Sequence, residues 1–263
     1  MLDFNNLYPN ESERLRALDR PFHAGAFFSQ GFALFQRAAG PLIGFTLLYM
    51  VIAIGVALGS GLTGSTILSS IATFLIAPLV AGLFLIAYTA RNYSEPSFEA
   101  GFGFTKHYLP LLGVEAVHQV IAALLLLVMP TTDIFTNPEA LEGMEPEEIL
   151  AVVSDAMPVI LGIAFLQFLI RTVFMFAPLY VLFYDMGIVR SLQASWNLVT
   201  RHVGGVLIFM VISIGVYIGG LLLCGIGLIL AIPIVYAATY CAFEHYALFP
   251  ETPDKNYLDE LIS

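Results

Sequence analysis

From Pro158 to Tyr184 the sequence reads PVILGIAFLQFLIRTVFMFAPLYVLFY, an apolar run with a single full charge, Arg171. As one helix of about 27 residues it would rise about 40 Å, against a bilayer hydrocarbon core of about 30 Å. A segment of that length and apolarity reads as a membrane span. Arg171 then falls near the middle of the membrane, where a charge without a partner costs about 3 kcal/mol or more.

The rest of the chain agrees with this reading. Hydrophobic residues make up 59% and charged residues 11%, against about 25% charged in a soluble domain. Mean hydropathy is +0.86, which excludes an ordinary water-soluble globule. Six apolar segments stand out, at 41–59, 66–89, 109–130, 158–184, 203–222 and 225–247. The expected fold is an all-α integral membrane protein with six transmembrane helices. Residues 1–21 form a polar segment without the apolar core of a secretory signal. Residues 22–247 form the membrane domain, interrupted by an acidic loop at 131–157, and 248–263 form a tail. Cys224 and Cys241 are too far apart along the last apolar stretch to form a disulfide within one helix.

Nine of the ten basic residues indicate the orientation. Arg14, Arg16, Arg20 and Arg37 precede the first span, and Arg91 and Lys106 lie between the second and third. Arg190 and Arg201 lie between the fourth and fifth, and Lys255 follows the sixth. All nine therefore fall on one side of a six-span chain. The loop at 131–157 carries Asp133, Glu139, Glu142, Glu145, Glu147, Glu148 and Asp155 with no Lys or Arg, and falls on the other. Positive charge is retained on the cytoplasmic face. Both termini are expected there, in a bacterial inner membrane, with the acidic loop external. Within that loop, Pro138 and Pro146 suit the first positions of short helices, followed by acids at the positive helix ends.

A weak internal repeat runs through the chain. GAFFSQGFALFQR, SFEAGFGFTKHY and IVRSLQASWNLVTRH stand ahead of the first, third and fifth spans. Each mixes aromatic with basic or polar residues over about three turns, as a helix lying at headgroup depth does. The second span of each pair carries a proline: Pro78, Pro178 and Pro233. The expectation is an interfacial amphipathic helix plus a transmembrane hairpin, three times over, although both features are common singly in membrane proteins.

The entry AGAFFSQGFALFQRAAGPLIGF and the ending from Ser191 to Tyr246, SLQASWNLVTRHVGGVLIFM onward, resemble a superfamily of uncharacterised bacterial integral membrane proteins. That group is similar to the membrane domain preceding some glycerophosphodiester phosphodiesterases. The resemblance covers most of the chain after about residue 22 and rests on aliphatic residues and glycine. It implies a fold and brings no catalytic residues with it. No segment is long and polar enough to supply the phosphodiesterase barrel.

Chemistry-bearing motifs are few. No phosphate-loop, zinc-protease or nucleophile-elbow pattern occurs, and no Cys/His cluster has zinc spacing. GFGFTK precedes a span rather than turning from strand to helix. No cofactor or metal is implied, and the formal net charge of −10 argues against nucleic acid. The remaining candidates lie in the membrane. Glu115 and His118, three residues apart on the third span, share a helical face. Counted from the cytoplasmic boundaries, Arg171 is deep enough to reach toward Glu115 from the fourth span, with His118 and Gln167 completing the hydrogen bonds. One reading makes this cluster a structural lock between helices; the other makes it a site that binds an anionic group or relays protons. The corresponding roles are a non-enzymatic envelope scaffold, helper or lipid-binding component, and a permease-like transporter of a lipid or other amphiphile. The partners implied are the bilayer, a bound lipid or another membrane protein.

Two measurements check these expectations. With both native cysteines replaced, a cysteine at Glu142 should react with an impermeant thiol reagent on intact cells while one at Ser94 should not; the reverse pattern overturns the orientation. If Arg171 and Glu115 meet, Arg171→Ala should cost about 3–5 kcal/mol by stranding a buried carboxylate, and Arg171→Met with Glu115→Leu should recover much of it. Simple additivity in the double-mutant cycle would separate the two residues.

Overall fold

The computed structural model describes residues 20–64, 66–127, 145–223 and 225–246. Of these residues 88% are helical and none is in a strand, and among them six helices are long and apolar enough to cross a membrane: Ala39–Gly59, Ser70–Asn92, Glu99–Leu125, Glu147–Tyr184, Val203–Leu222 and Leu228–Tyr246. The chain is an all-α, multi-pass architecture, as its apolar periodicity requires.

In chain order the helices are α1 (Ala24–Arg37), α2 (Ala39–Thr63), α3 (Thr66–Ile76), a 3-10 segment (Ala77–Ala81), α4 (Gly82–Asn92) and a second 3-10 segment (Glu99–His107). Then follow α5 (Tyr108–Leu127), α6 (Pro146–Val173), α7 (Ala177–Tyr184), α8 (Ile188–Arg201), α9 (Val203–Leu222) and α10 (Leu228–Tyr246). The membrane prolines act in two ways. Pro78 and Pro178 stand in the first turn of a new helical segment, where no backbone donor is lost. Pro233 lies inside α10.

The fourth span departs from the expected boundaries. The acidic loop was expected to run to Met157, but α6 begins at Pro146 and continues through Pro158 to Val173. Glu147 and Glu148 occupy its first turn, at the positive end of the macrodipole. Asp155 is therefore helical too. Pro146 is at a helix start, as its place in the sequence suggests; the difference is that this helix is continuous with the span, whose apolar part begins about three turns later. The loop acids Asp133, Glu139 and Glu142 lie outside the described residues, as do Pro138, Cys224 and the tail from residue 247. Cys241 is buried and forms no disulfide.

The described residues fall into two compact units. Ala116–Val173 contains the C-terminal part of α5 together with α6. The other unit holds the residues before and after it, and its order is cyclic. The helix ahead of each hairpin packs on the second helix of the preceding one: α1 on α10, the second 3-10 segment on α4, and α8 on α7. Small residues permit each approach. A Cβ on Gly31 of α1 would lie 2.5 Å from the Ala238 nitrogen of α10, and one on Gly82 would strike the Gly101 carbonyl. In α8, Ser191, Ala194 and Ser195 are buried, and Ser195 Oγ accepts a hydrogen bond from the Phe176 amide at 3.2 Å.

The far end of each prefacing helix meets the C-terminal end of the second helix in its own hairpin. Arg37 Nη2 donates to the Tyr93 carbonyl at 2.8 Å. His107 Nε2 lies 3.2 Å from Asp185 Oδ1. The His202 ring lies 4.6 Å from that of Tyr246. Tyr93 and Asp185 cap α4 and α7, and Tyr246 ends α10, so these basic or imidazole groups meet the negative ends of helices. Asp185 has φ 48° and is the one non-glycine residue with positive φ among those described. Asp tolerates that conformation better than most residues, and unlike glycine it offers a carboxylate to His107. Ala38 and His202, which join α1 to α2 and α8 to α9, share nearly the same backbone angles, φ −119° and ψ 30° against φ −122° and ψ 30°.

The core of this unit sits at the end where these contacts converge. Tyr240, Phe243, Phe176, Phe45, Phe209 and Tyr246 are almost fully buried there. Toward the opposite tips apolar residues are exposed, Leu62 at 90% and Leu222 at 79%, as suits lipid-facing surface. Three buried hydroxyls are satisfied within their own helices: Thr46, Ser213 and Thr239 donate to the carbonyls of Leu42, Phe209 and Val235.

In lipid the packing of close helices replaces water exclusion as the main source of cohesion. Gly31→Val should therefore lower stability by about 2 kcal/mol or more, since neither backbone can retreat. Gly40→Val, where a Cβ meets nothing within 4 Å, should change it little. Thermal unfolding of the two variants in detergent reads the difference.

Candidate functional site

Glu115 and His118 are half-buried and one turn apart on α5, as expected, and Gln167 and Arg171 are one turn apart on α6. Glu115 closes one compact unit, whereas His118, Gln167 and Arg171 belong to the other. The structure adds a feature absent from the sequence reading. Arg171 stands in the last turn of α6, and α7 does not begin until Ala177. The last carbonyls of a helix have no partner within it and carry its negative partial charge. A cation in that turn meets a favourable field even at membrane depth.

A second candidate is a groove among α2, α9, α10 and the 3-10 segment after α3. It encloses about 480 Å³, and its walls include Tyr49, Val80, Tyr217, Leu221, Ile232 and Tyr236. Each element has a reason to open there. Val80 rides on the 3-10 turn that Pro78 begins. Near the tips, Gly220 and Gly227 draw α9 and α10 together, since a Cβ on Gly227 would lie 2.6 Å from the Gly220 carbonyl. Tyr236 leans onto Phe84 of α4, with ring centroids 5.1 Å apart.

The depth of the groove follows from helix rise. Tyr49 is about 15 Å along α2 from Ala39, Tyr236 about 15 Å along α10 from Tyr246, and Tyr217 about 21 Å along α9 from Val203. Against a hydrocarbon core about 30 Å thick, distances of this size from the helix ends correspond to its middle or a few ångström beyond. The walls offer hydrocarbon and three phenol rings. Chemically they suit an alkyl chain, with the phenols able to donate to an ester oxygen.

Hydropathy could not have found this groove, because it depends on which faces of four separate spans are brought together. Among the described residues no three His, Cys, Asp or Glu side chains gather as a metal site. The chain matches no protein-family model, no curated protein and no solved structure.

Proposed function

We propose that the protein is a non-enzymatic, multi-pass component of the bacterial inner membrane that binds lipid, holding an acyl chain in the groove beside Tyr217. The observation that carries this reading is an apolar slot whose walls all belong to helices long and apolar enough to cross a membrane. Whatever enters it must come from the hydrocarbon around it. The helices ahead of each hairpin support the same setting. Trp196 on α8 is half-exposed while Ser191, Ala194 and Ser195 on the inner face are buried, the division of a helix with one side on protein and its ring at an interface. On this reading both termini are cytoplasmic, following the Lys and Arg bias. The protein acts as a scaffold or helper whose shape depends on bound lipid.

The permease-like alternative assigns the moving charge to Arg171, Glu115, His118 and Gln167. It differs in one consequence: replacing Arg171 and Glu115 together by apolar residues would leave a folded protein without its cellular role. A structural lock would keep that role.

The groove is tested by filling it. Wild-type protein taken through a delipidating detergent wash should retain phospholipid in native mass spectra. Leu221→Trp, which adds a ring to the wall, should retain about tenfold less, as expected when some 1.4 kcal/mol of chain contact is lost. Helix content should be unchanged. Equal retention by the two proteins would remove the groove as the lipid site.

A further inference from the structure

The end of the molecule where the core lies carries a second constellation, which the groove does not use. Arg20, His23, His202 and His245 come from the strap before α1, the junction before α9 and the end of α10. Arg20 Nη1 donates to the His245 carbonyl at 3.3 Å, and the Tyr246 hydroxyl donates to the Arg20 carbonyl at 3.1 Å. Phe22 between them is stacked on Tyr246 at 5.8 Å and edge-on to Phe27 at 4.9 Å. The Phe22 ring fits because residue 205 is glycine: a Cβ there would come 2.8 Å from it. His202 lies 4.6 Å from the Tyr246 ring and His245 5.4 Å from the Phe27 ring. An aromatic floor thus carries the His202 and His245 imidazoles, with Arg20 bound at its edge and His23 next to Phe22 in the chain. Among the described residues, Arg20, His23 and His202 lie near enough to act electrostatically on His245.

The backbone adds donors to the same place. His23 and His202 are the N-caps of α1 and α9, and neither side chain caps its helix. The first-turn amides are left for another acceptor. Gly25 and Gly204, the second residues of these helices, have open space where a Cβ would stand, so an acceptor can approach the backbone. Arg20 and His23 are exposed and His202 and His245 half-buried, leaving the cluster open to the surface. Its depth is fixed by the hairpin. His202 immediately precedes span Val203–Leu222, and His245 is in the last turn of span Leu228–Tyr246. Antiparallel helices place these two ends on one side, at headgroup level.

We propose that this cluster is a binding site for a phosphate group, the headgroup of an anionic phospholipid or free phosphate. A guanidinium with donors beyond the one bound to the His245 carbonyl, imidazole N–H groups and two uncapped helix N-termini form a donor set suited to phosphate oxygens. The proposal names the headgroup class for a lipid-binding protein but rests on residues outside the groove. Failure of one site is therefore separable from failure of the other.

The test is headgroup selectivity. Wild-type protein in detergent is titrated with phosphatidic acid, phosphatidylglycerol and phosphatidylcholine, and bound lipid is counted by native mass spectrometry; a parallel arm adds inorganic phosphate. Arg20→Gln with His23→Gln leaves in place Phe22 and the Arg20 carbonyl that Tyr246 uses. It should reduce a wild-type preference for the anionic lipids of about tenfold to about twofold or less, the loss of one or two charge-assisted contacts. Arg190→Gln, at another exposed basic residue, should keep the preference. Displacement of lipid by phosphate would identify a site that also accepts the free ion, and its absence one that requires the lipid. No wild-type preference, or a preference unchanged in the double variant, would overturn the proposal. If the double variant unfolds earlier than wild type without lipid, His23→Gln alone, at an exposed ring, must still lower the preference for the proposal to stand.

Discussion

The ordering of this molecule depends on how closely α1 can approach α10. At Gly31 and Ala238 the helices meet backbone to backbone, nearer than any side chain allows. In a bilayer, where lipid tails are as apolar as leucine, such proximity is what gives one helix a preference for another. The contact also joins the start of the described chain to its end. With the corresponding contacts onto α4 and α7, it makes the prefacing helices the mortar between successive hairpins rather than loose flanking segments. Each has one face on protein, and so cannot be read as a surface helix alone.

This arrangement shows what the sequence could reveal. Long apolar runs gave the six spans almost directly, because a bilayer allows few other fates for them. The aromatic and basic segments before Arg37, Lys106 and Arg201 showed where the prefacing helices would be. They could not show what those helices touch, since Gly31 and Ala238 look unremarkable in one dimension. The helix start at Pro146, with acids after it, was legible from the proline and the charges; what hydropathy could not show is that this helix runs on without a break into the apolar span. The groove and the Arg20 cluster depend on residues from three or more elements converging, which no local pattern encodes. Of the residues singled out in advance, the helical spacing of Glu115 with His118 and of Gln167 with Arg171 was legible, while the helix end beside Arg171 was not.

Arg171 also acquires a physical context beyond a search for a countercharge. The helix that holds Arg171 ends at Val173, and the next begins at Ala177. A guanidinium, with its several donors, suits the negative end of a helix. The same logic operates at the surface, where Arg37, His107 and His202 meet the ends of α4, α7 and α10.

The cyclic order has a consequence for synthesis. α1 is made first, but its principal partner, α10, is the last span, so about two hundred residues must be inserted before the two can meet. During that interval α1, with Phe27, Leu34 and Phe35, lacks its widest contact. A mixed aromatic and polar helix can rest at the lipid headgroups meanwhile. Its amphipathic character then serves as a mooring during assembly, until the newest helix returns to the oldest.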